Sequence, residues 1–278
     1  MYKIILDSCG ELTDEMKEDG HFVNVPLTLE VGSEEIIDDE SFDQKAFLDK
    51  VAKCDTSPKS ACPSPNAYMV EMECEASRVY VVTLSAQLSG SYNSACLAKD
   101  LYEEDDEEKL IHVFDSKSAS IGETLIALKI AECEKAGMSF EEVIEAVDEY
   151  IAGQHTFFVL ESLETLRKAG RLSNLKAALA GTLNIKPIMG STDEGSIQQL
   201  GQTRGMTKAL DKMGQCLCDV TVNCENKILA ISHCNCEERA LSLKKKMEQM
   251  ANFKDIFIVD TRGVSSMYAN DGGVIMVI

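Results

Sequence analysis

Three short apolar runs in the first half, at 2–6 (YKIIL), 78–84 (RVYVVTL) and 109–114 (KLIHVF), constrain the fold more than any other feature. Helical patterns at 43–53, 65–76 and 92–103 separate them, and two more, at 120–136 and 139–152, follow the third. Strands alternating with helices specify a largely parallel sheet covered by helices on its faces. A looser strand is expected near 22–29. Pro65 after Ser64 reads as a first helical position, and Ser139-Phe140-Glu141-Glu142 spells a capping box.

The pattern changes after residue 153. Strands expected at 155–160, 184–190, 196–202, 227–232, 255–260 and 273–278 mix with helices near 161–169, 172–182, 204–218 and 236–251. The turn from Ser191 to Ser196 (STDEGS) joins two of these strands as an antiparallel hairpin, so the second sheet is mixed. The expected architecture is therefore α/β in two domains, residues 1–152 and 153–278, a division that suits a chain of 278 residues.

Charge excludes some partners. With 47 acids against 27 bases the net charge is −20, the wrong sign for a nucleic-acid backbone or an anionic membrane surface. No apolar run approaches the roughly 20 residues of a membrane span, and the N-terminus has no signal-peptide pattern, so a cytoplasmic location is expected. The eleven cysteines then read as reduced thiols. The run EEDDEE at 103–108 reads as a solvated helix end and turn.

Nucleotide-binding, zinc-protease and serine-hydrolase signatures are missing. Cys216, Cys218, His233, Cys234 and Cys236 could in principle hold zinc. However, the spacing is not the C-x-x-C knuckle, and Cys216 and Cys218 sit two apart on a helix, facing different ways. No metal or cofactor is expected.

Hydroxyl-rich loops remain. Asp7-Ser8-Cys9-Gly10, Ser85 to Ser91 (SAQLSGS) and Asp115 to Ser120 (DSKSAS) each follow a strand, so a parallel sheet brings them to one edge, where such folds bind ligands. Ser89-Gly90-Ser91 also opens a helix, whose free N–H groups favour an anion. A fourth loop, Pro58 to Pro65 (PKSACPSP), holds Ser60 in an extended, proline-fixed geometry. Taken singly, such serines are most simply N-caps and turn formers. Several on one edge point to a site for a small anionic group.

A second anomaly lies between Thr165 and Thr192, which holds Arg167, Lys168, Arg171, Lys176 and Lys186 and no acid. Cations before a Gly170 C-cap complement the helix dipole. The alternative is a basic patch facing a phosphate or an acidic partner.

At these loops the sequence resembles the DegV family, the FakB-type bacterial fatty acid-binding proteins, over essentially the whole chain. Asp7-Ser8-Cys9-Gly10-Glu11-Leu12 is similar to the family's D-S-x-x-D-L, Val25-Pro26-Leu27 to V-P-L, and Pro58 to Pro65 to P-K-T-S-Q-P-S-P. Leu88 to Ala95 (LSGSYNSA) resembles L-S-G-T-Y-x-S-A, and Asp115 to Gly122 (DSKSASIG) resembles D-S-x-S-A-S-x-G. Leu163 to Leu172 resembles L-x-x-L-x-K-G-G-R-I, and Lys186-Pro187-Ile188 resembles K-P-I/L.

The resemblance implies a two-domain DegV-like fold with a long-chain fatty acid buried between the domains. Ser60, Ser89 and Gly90 would hold its carboxylate. A separate ATP-dependent fatty-acid kinase would make the acyl-phosphate, and Arg171 would stand near the head group for the kinase step. Tyr268 occupies the place of a family histidine, in YANDG where H-x-G-P-G is usual, and Ala61 takes the place of a hydroxyl. A phenol still donates a hydrogen bond but is neutral near pH 7. Ser91, Asp115, Ser116 and Ser118 would support these groups from behind. The competing reading is an enzyme acting on a small acidic or phosphorylated metabolite at the same edge. It is disfavoured because no base is recognisably paired with a serine.

Overall fold

In the computed structural model, residues 1–104, 108–172 and 184–278 are described. All but the first residue of the expected helix at 172–182, Lys176 included, lies outside them, as do the central residues of the acidic run, beyond the helix end at Glu103.

The first half contains strands β1 (Tyr2–Asp7), β2 (Phe22–Val25), β3 (Thr28–Val31), β4 (Glu34–Ile37), β5 (Lys59–Ala61), β6 (Arg78–Thr83) and β7 (Leu110–Asp115). Four of them form a parallel sheet in the order β2-β1-β6-β7. Alternation along these strands feeds two cores. Ile4, Leu6, Tyr80, Val82 and Phe114 pack on helices Ile121–Lys135 and Phe140–Ala152. Ile5, Val79, Val81, Ile111 and Val113 pack on helices Pro65–Met72 and Ser91–Glu103. Ser64 caps the Ala67 N–H, and Ser139 with Glu142 forms the expected capping box.

The loose strand expected at 22–29 is two strands. Pro26 has no N–H to donate, and the run changes partner there. Val25 still pairs with Asp7 of β1, whereas Thr28 begins a small antiparallel sheet in the order β4-β3-β5. Ser60 is a strand residue of that sheet, paired in register with Leu29.

The second half contains β8 (Thr156–Val159), β9 (Ile185–Ser191), β10 (Ile197–Arg204), β11 (Ile228–His233), β12 (Asp255–Asp260) and β13 (Val274–Val277), in the order β10-β9-β8-β13-β11-β12. Only β11 and β12 pair in parallel, and β9 and β10 form the hairpin across Thr192 to Ser196. One face carries helices Met206–Val220 and Glu237–Met250, with Cys216, Cys218 and Cys236 packed against that core. The other face meets the first half.

Helix Ile121–Lys135 serves both halves. Ile126, Ala127 and Ile130 pack on the parallel sheet, while Ile121 and Leu125 pack on Ala230 and Val277 of the mixed sheet. A helix used on both sides is buried nearly all round, and it carries one fully buried acid, Glu123. Neither carboxyl oxygen of Glu123 has a hydrogen-bond partner. It lies with Asp7 and the Cys9 thiol, their ligand-type atoms within 4.8 Å of one another. Asp7 accepts the N–H groups of Cys9 (3.0 Å) and Leu84 (2.9 Å), which stabilise its ionised form. Glu123 has no such donors, so it is the member of the pair that holds a proton. Burial pushes Asp7 up to about 6 and Glu11 up to about 7, and it raises Glu123 further, with the Asp7 charge adding to the effect.

These shifts fix the sign of a pH effect. A carboxyl raised on folding contributes stability that is complete at acid pH and is lost as pH climbs through its folded value. Urea unfolding midpoints should therefore fall between pH 5 and pH 8. Glu123→Gln, which needs no proton, should flatten that slope and raise stability at pH 8 by roughly 1–3 kcal/mol. A slope equal to that of the wild type would show that Glu123 titrates normally.

Candidate functional site

The loops after β1, β6 and β7 meet at one edge, and buried side chains lock them. Asp115 accepts the N–H groups of Ala86 (3.0 Å) and Lys117 (3.1 Å), tying two loops together. Ser116 holds the next turn by accepting the Ser118 N–H and donating to the Ser118 carbonyl. Ser118 meets Thr156 of the second half at 2.6 Å. Ser120 has φ 58 and ψ −133, a conformation that costs a non-glycine residue energy. Its hydroxyl donates to Glu11 at 2.9 Å and meets Ser232 at 2.8 Å, so contacts from both halves hold the strained residue.

Two adjoining cavities lie at this seam. The first, about 270 Å³, is lined by Ser60, Cys62, Ser89, Gly90, Arg171 and Tyr268, among others. The second, about 100 Å³, is a narrow apolar tract walled chiefly by Phe158, Leu160, Leu166, Ile197 and Ile275. Leu84, Leu88, Arg171, Val264 and Tyr268 border both, so the chamber and the tract are neighbours that share one wall. Together, they reach the lower end of the roughly 300–1,000 Å³ usual for a small-molecule site.

Ser60, Ser89, Gly90, Arg171 and Tyr268 therefore share one chamber. The Ser60 and Tyr268 hydroxyls are 3.2 Å apart across the halves of the chain. Ser89 accepts the Ser91 N–H at 3.2 Å and lies 3.1 Å from the Ser91 hydroxyl, at the start of helix Ser91–Glu103. Ser91 is buried behind it, as are Ser116 and Ser118. Cys62 stands over Gly90, where an added β-carbon would lie 3.2 Å from its sulfur. Gly170, at φ 77, ends helix Glu164–Lys168 and turns Arg171 back towards the Leu88 carbonyl, to which its Nε donates at 3.0 Å. Its other hydrogen bond runs to the Ala169 carbonyl. Among the described residues no carboxylate pairs with Arg171, whereas Arg167 and Lys168 bind Glu164, and Lys186 binds Glu161.

Chemically, the chamber offers hydroxyl donors and one unneutralised cation beside an apolar tract, the set that suits a carboxylate carrying a hydrocarbon tail. No histidine lines either cavity, and the hydroxyl beside Ser89 is another serine, so among the described residues Ser89 has no general base. The buried His233 faces Asp260 elsewhere. A larger opening, about 1,420 Å³, lies between helix Ile121–Lys135 and the β12 side of the mixed sheet. Its lining mixes apolar residues such as Leu125, Tyr150 and Phe257 with many charged ones, and its Lys17, Lys129 and Lys135 are paired with Asp14, Glu132 and Asp19.

The resemblance implied an apolar passage between the halves but not the residues that wall it, and sequence reasoning missed the chamber's Leu27, Cys62, Leu84 and Val264. Hydrophobic residues that line a cavity read like those that fill a core. It also missed helix Gly263–Ala269, which delivers Tyr268.

The profile of the DegV family, described as an uncharacterised protein family, matches residues 1–277. A DegV domain-containing protein of Streptococcus pneumoniae is 35% identical over 255 residues, covering 92% of this chain and 90% of its own. The crystal structure of a DegV family protein from Ruminococcus gnavus, refined with vaccenic acid, superposes with a TM-score of 0.98 at 57% identity, covering 100% and 99% of the two chains. The Fatty Acid Kinase (Fak) B3 protein of Streptococcus pneumoniae, loaded with linoleic acid, superposes at 0.89 with 33% identity, covering 100% and 98%. With its length matched from end to end, the chain belongs to the DegV family.

Proposed function

We propose that this protein binds a long-chain fatty acid at the seam and presents its carboxylate to a separate, ATP-dependent fatty-acid kinase in the cytoplasm. The carboxylate sits in the polar chamber, where Ser60, Ser89, Tyr268 and the backbone at Gly90 hold it. The acyl chain runs into the apolar tract. The observation that carries this reading is the adjacency of the two cavities, which share Leu84, Leu88, Arg171, Val264 and Tyr268 in their linings. The structural relatives refined with vaccenic and linoleic acids support the choice of ligand.

Each methylene buried in the tract contributes about 0.8 kcal/mol, so the chain supplies affinity and the hydroxyls supply orientation. Arg171 stays free of carboxylates until the ligand arrives. It then stands where charge accumulates during phosphoryl transfer by the kinase, or where the kinase docks.

Protein purified from bacterial cells should release one long-chain fatty acid per chain into organic solvent, measured by mass spectrometry. Recovery of none, with no uptake of labelled fatty acid, would count decisively against the proposal. Ser89→Ala should weaken retention by roughly 1–3 kcal/mol, because it leaves a desolvated carboxylate short of a donor. Ser118→Ala, on the tract wall, should matter less. Binding equal to the wild type in both variants would remove Ser89 from the head-group site.

Arg171→Ala should leave lipid bound and slow acyl-phosphate formation when ATP and a cognate kinase are added. Lys168→Ala is the control for loss of charge. Equal rates in wild type and Arg171→Ala would leave Arg171 a helix-end role only, and acyl-phosphate formed without a kinase would make the protein itself an enzyme.

A further inference from the structure

Tyr268 reaches the chamber on the seven-residue helix Gly263–Ala269, which belongs to the second half by sequence but is gripped by the first. Arg262, at its N-cap position, makes no side-chain cap. The cap comes instead from Asp38, a buried residue just beyond β4 and 225 positions away. One Asp38 carboxyl oxygen accepts the Gly263 N–H at 2.8 Å, and the other accepts the Val264 N–H at 2.9 Å. The second oxygen also accepts the Ser8 hydroxyl at 2.9 Å, and Ser8 Oγ in turn accepts the Leu27 N–H at 2.9 Å.

The Asp38 N–H donates to the Leu27 carbonyl at 2.9 Å, fixing the carboxylate's own backbone. The approach requires glycine: a β-carbon at Gly263 would lie 2.4 Å from the Asp38 carboxyl. Two more contacts hold the same helix. Ser265 donates to the Cys9 carbonyl at 3.0 Å, and Gln44 donates to the Ser266 hydroxyl at 3.3 Å. Val264, Ser265, Tyr268 and Ala269, all on this helix, line the cavities.

A helix this short has little stability of its own, so its rotation and height are set by what holds its ends. We propose that Asp38 is a positioning residue for ligand binding: by capping helix Gly263–Ala269 across the seam it places the Tyr268 hydroxyl against the ligand's carboxylate. This rests on the fatty-acid reading above. Asp38 lines neither cavity and acts through this helix, whose one hydroxyl in the chamber's lining is that of Tyr268. Asp38→Asn keeps the shape but turns one acceptor into a donor facing a backbone N–H, which shifts the helix start.

The test compares labelled oleic acid with its methyl ester, which has the same chain but no carboxylate. Asp38→Asn should weaken oleic acid about tenfold and the ester less than about twofold. In a Tyr268→Phe background, the same change should cost nothing further for the acid. Equal losses for acid and ester, or the same factor with and without the Tyr268 hydroxyl, would overturn the proposal in favour of a general structural role. If Asp38→Asn does not fold, Ser8→Ala, which removes one donor to the same carboxylate, goes through the same two ligands with the same expected selectivity. Failure of the wild type to bind oleic acid defeats the fatty-acid reading itself. Normal wild-type binding with an unshifted variant defeats only the role of Asp38.

Discussion

The burial of helix Ile121–Lys135 between two sheets is the constraint from which the rest of the site follows. Because its sides pack on both the parallel and the mixed sheet, the two halves cannot be stacked independently. The loop that leads into it, Asp115 to Ser120, is carried into the seam with it. That loop must satisfy its backbone away from water, and it does so with hydroxyls: Ser116 on its own turn, Ser118 on Thr156, Ser120 on Glu11 and Ser232. The serines that mark the seam in the sequence are thus partly mortar. Ser60, Ser89 and Tyr268 stand apart because each lines the chamber.

The same burial explains the proton on Glu123. An acid on a helix face that must be dry can be neutralised by a cation, by hydrogen-bond donors or by a proton. Here Asp7 takes the nearby backbone donors, leaving Glu123 with none. Burying it neutral costs far less than burying a second charge beside Asp7. In a chain of net charge −20, Arg171 represents the opposite choice. Among the described residues it has no carboxylate partner, although acids satisfy its neighbours Arg167, Lys168 and Lys186.

Much of the fold was legible because its signals are local. Val- and Ile-rich runs, the Ser64-Pro65 start, the Ser139–Glu142 box and the Gly170 turn each specify their element within a few residues. The hydroxyl loops were legible as an edge because a parallel sheet leaves them no other place. The small sheet β4-β3-β5 was not, since β5 has three residues and pairs with a strand about thirty positions away. Helix Gly263–Ala269 was illegible for a related reason. Gly-Val-Ser-Ser has weak helix propensity, and its cap is an aspartate in another part of the chain. The fatty-acid reading came from motif resemblance, since an apolar wall and an apolar core have the same composition.

Tyr268 shows why the seam, more than either half, defines the site. Its hydroxyl is 3.2 Å from Ser60, a residue of the small sheet, while its helix packs with Leu27, Leu29 and Phe47 of the first half. A histidine at this position could carry a positive charge towards a carboxylate, whereas a phenol cannot. The positive charge within the chamber's lining therefore falls to Arg171, held from the Leu88 and Ala169 carbonyls on opposite sides of the seam. The chamber's neutral hydroxyls and its single guanidinium are thereby divided between residues on different elements. Ser60 and Ser89 come from the first half and Arg171 and Tyr268 from the second, so the chamber exists only as a lining shared between the two halves.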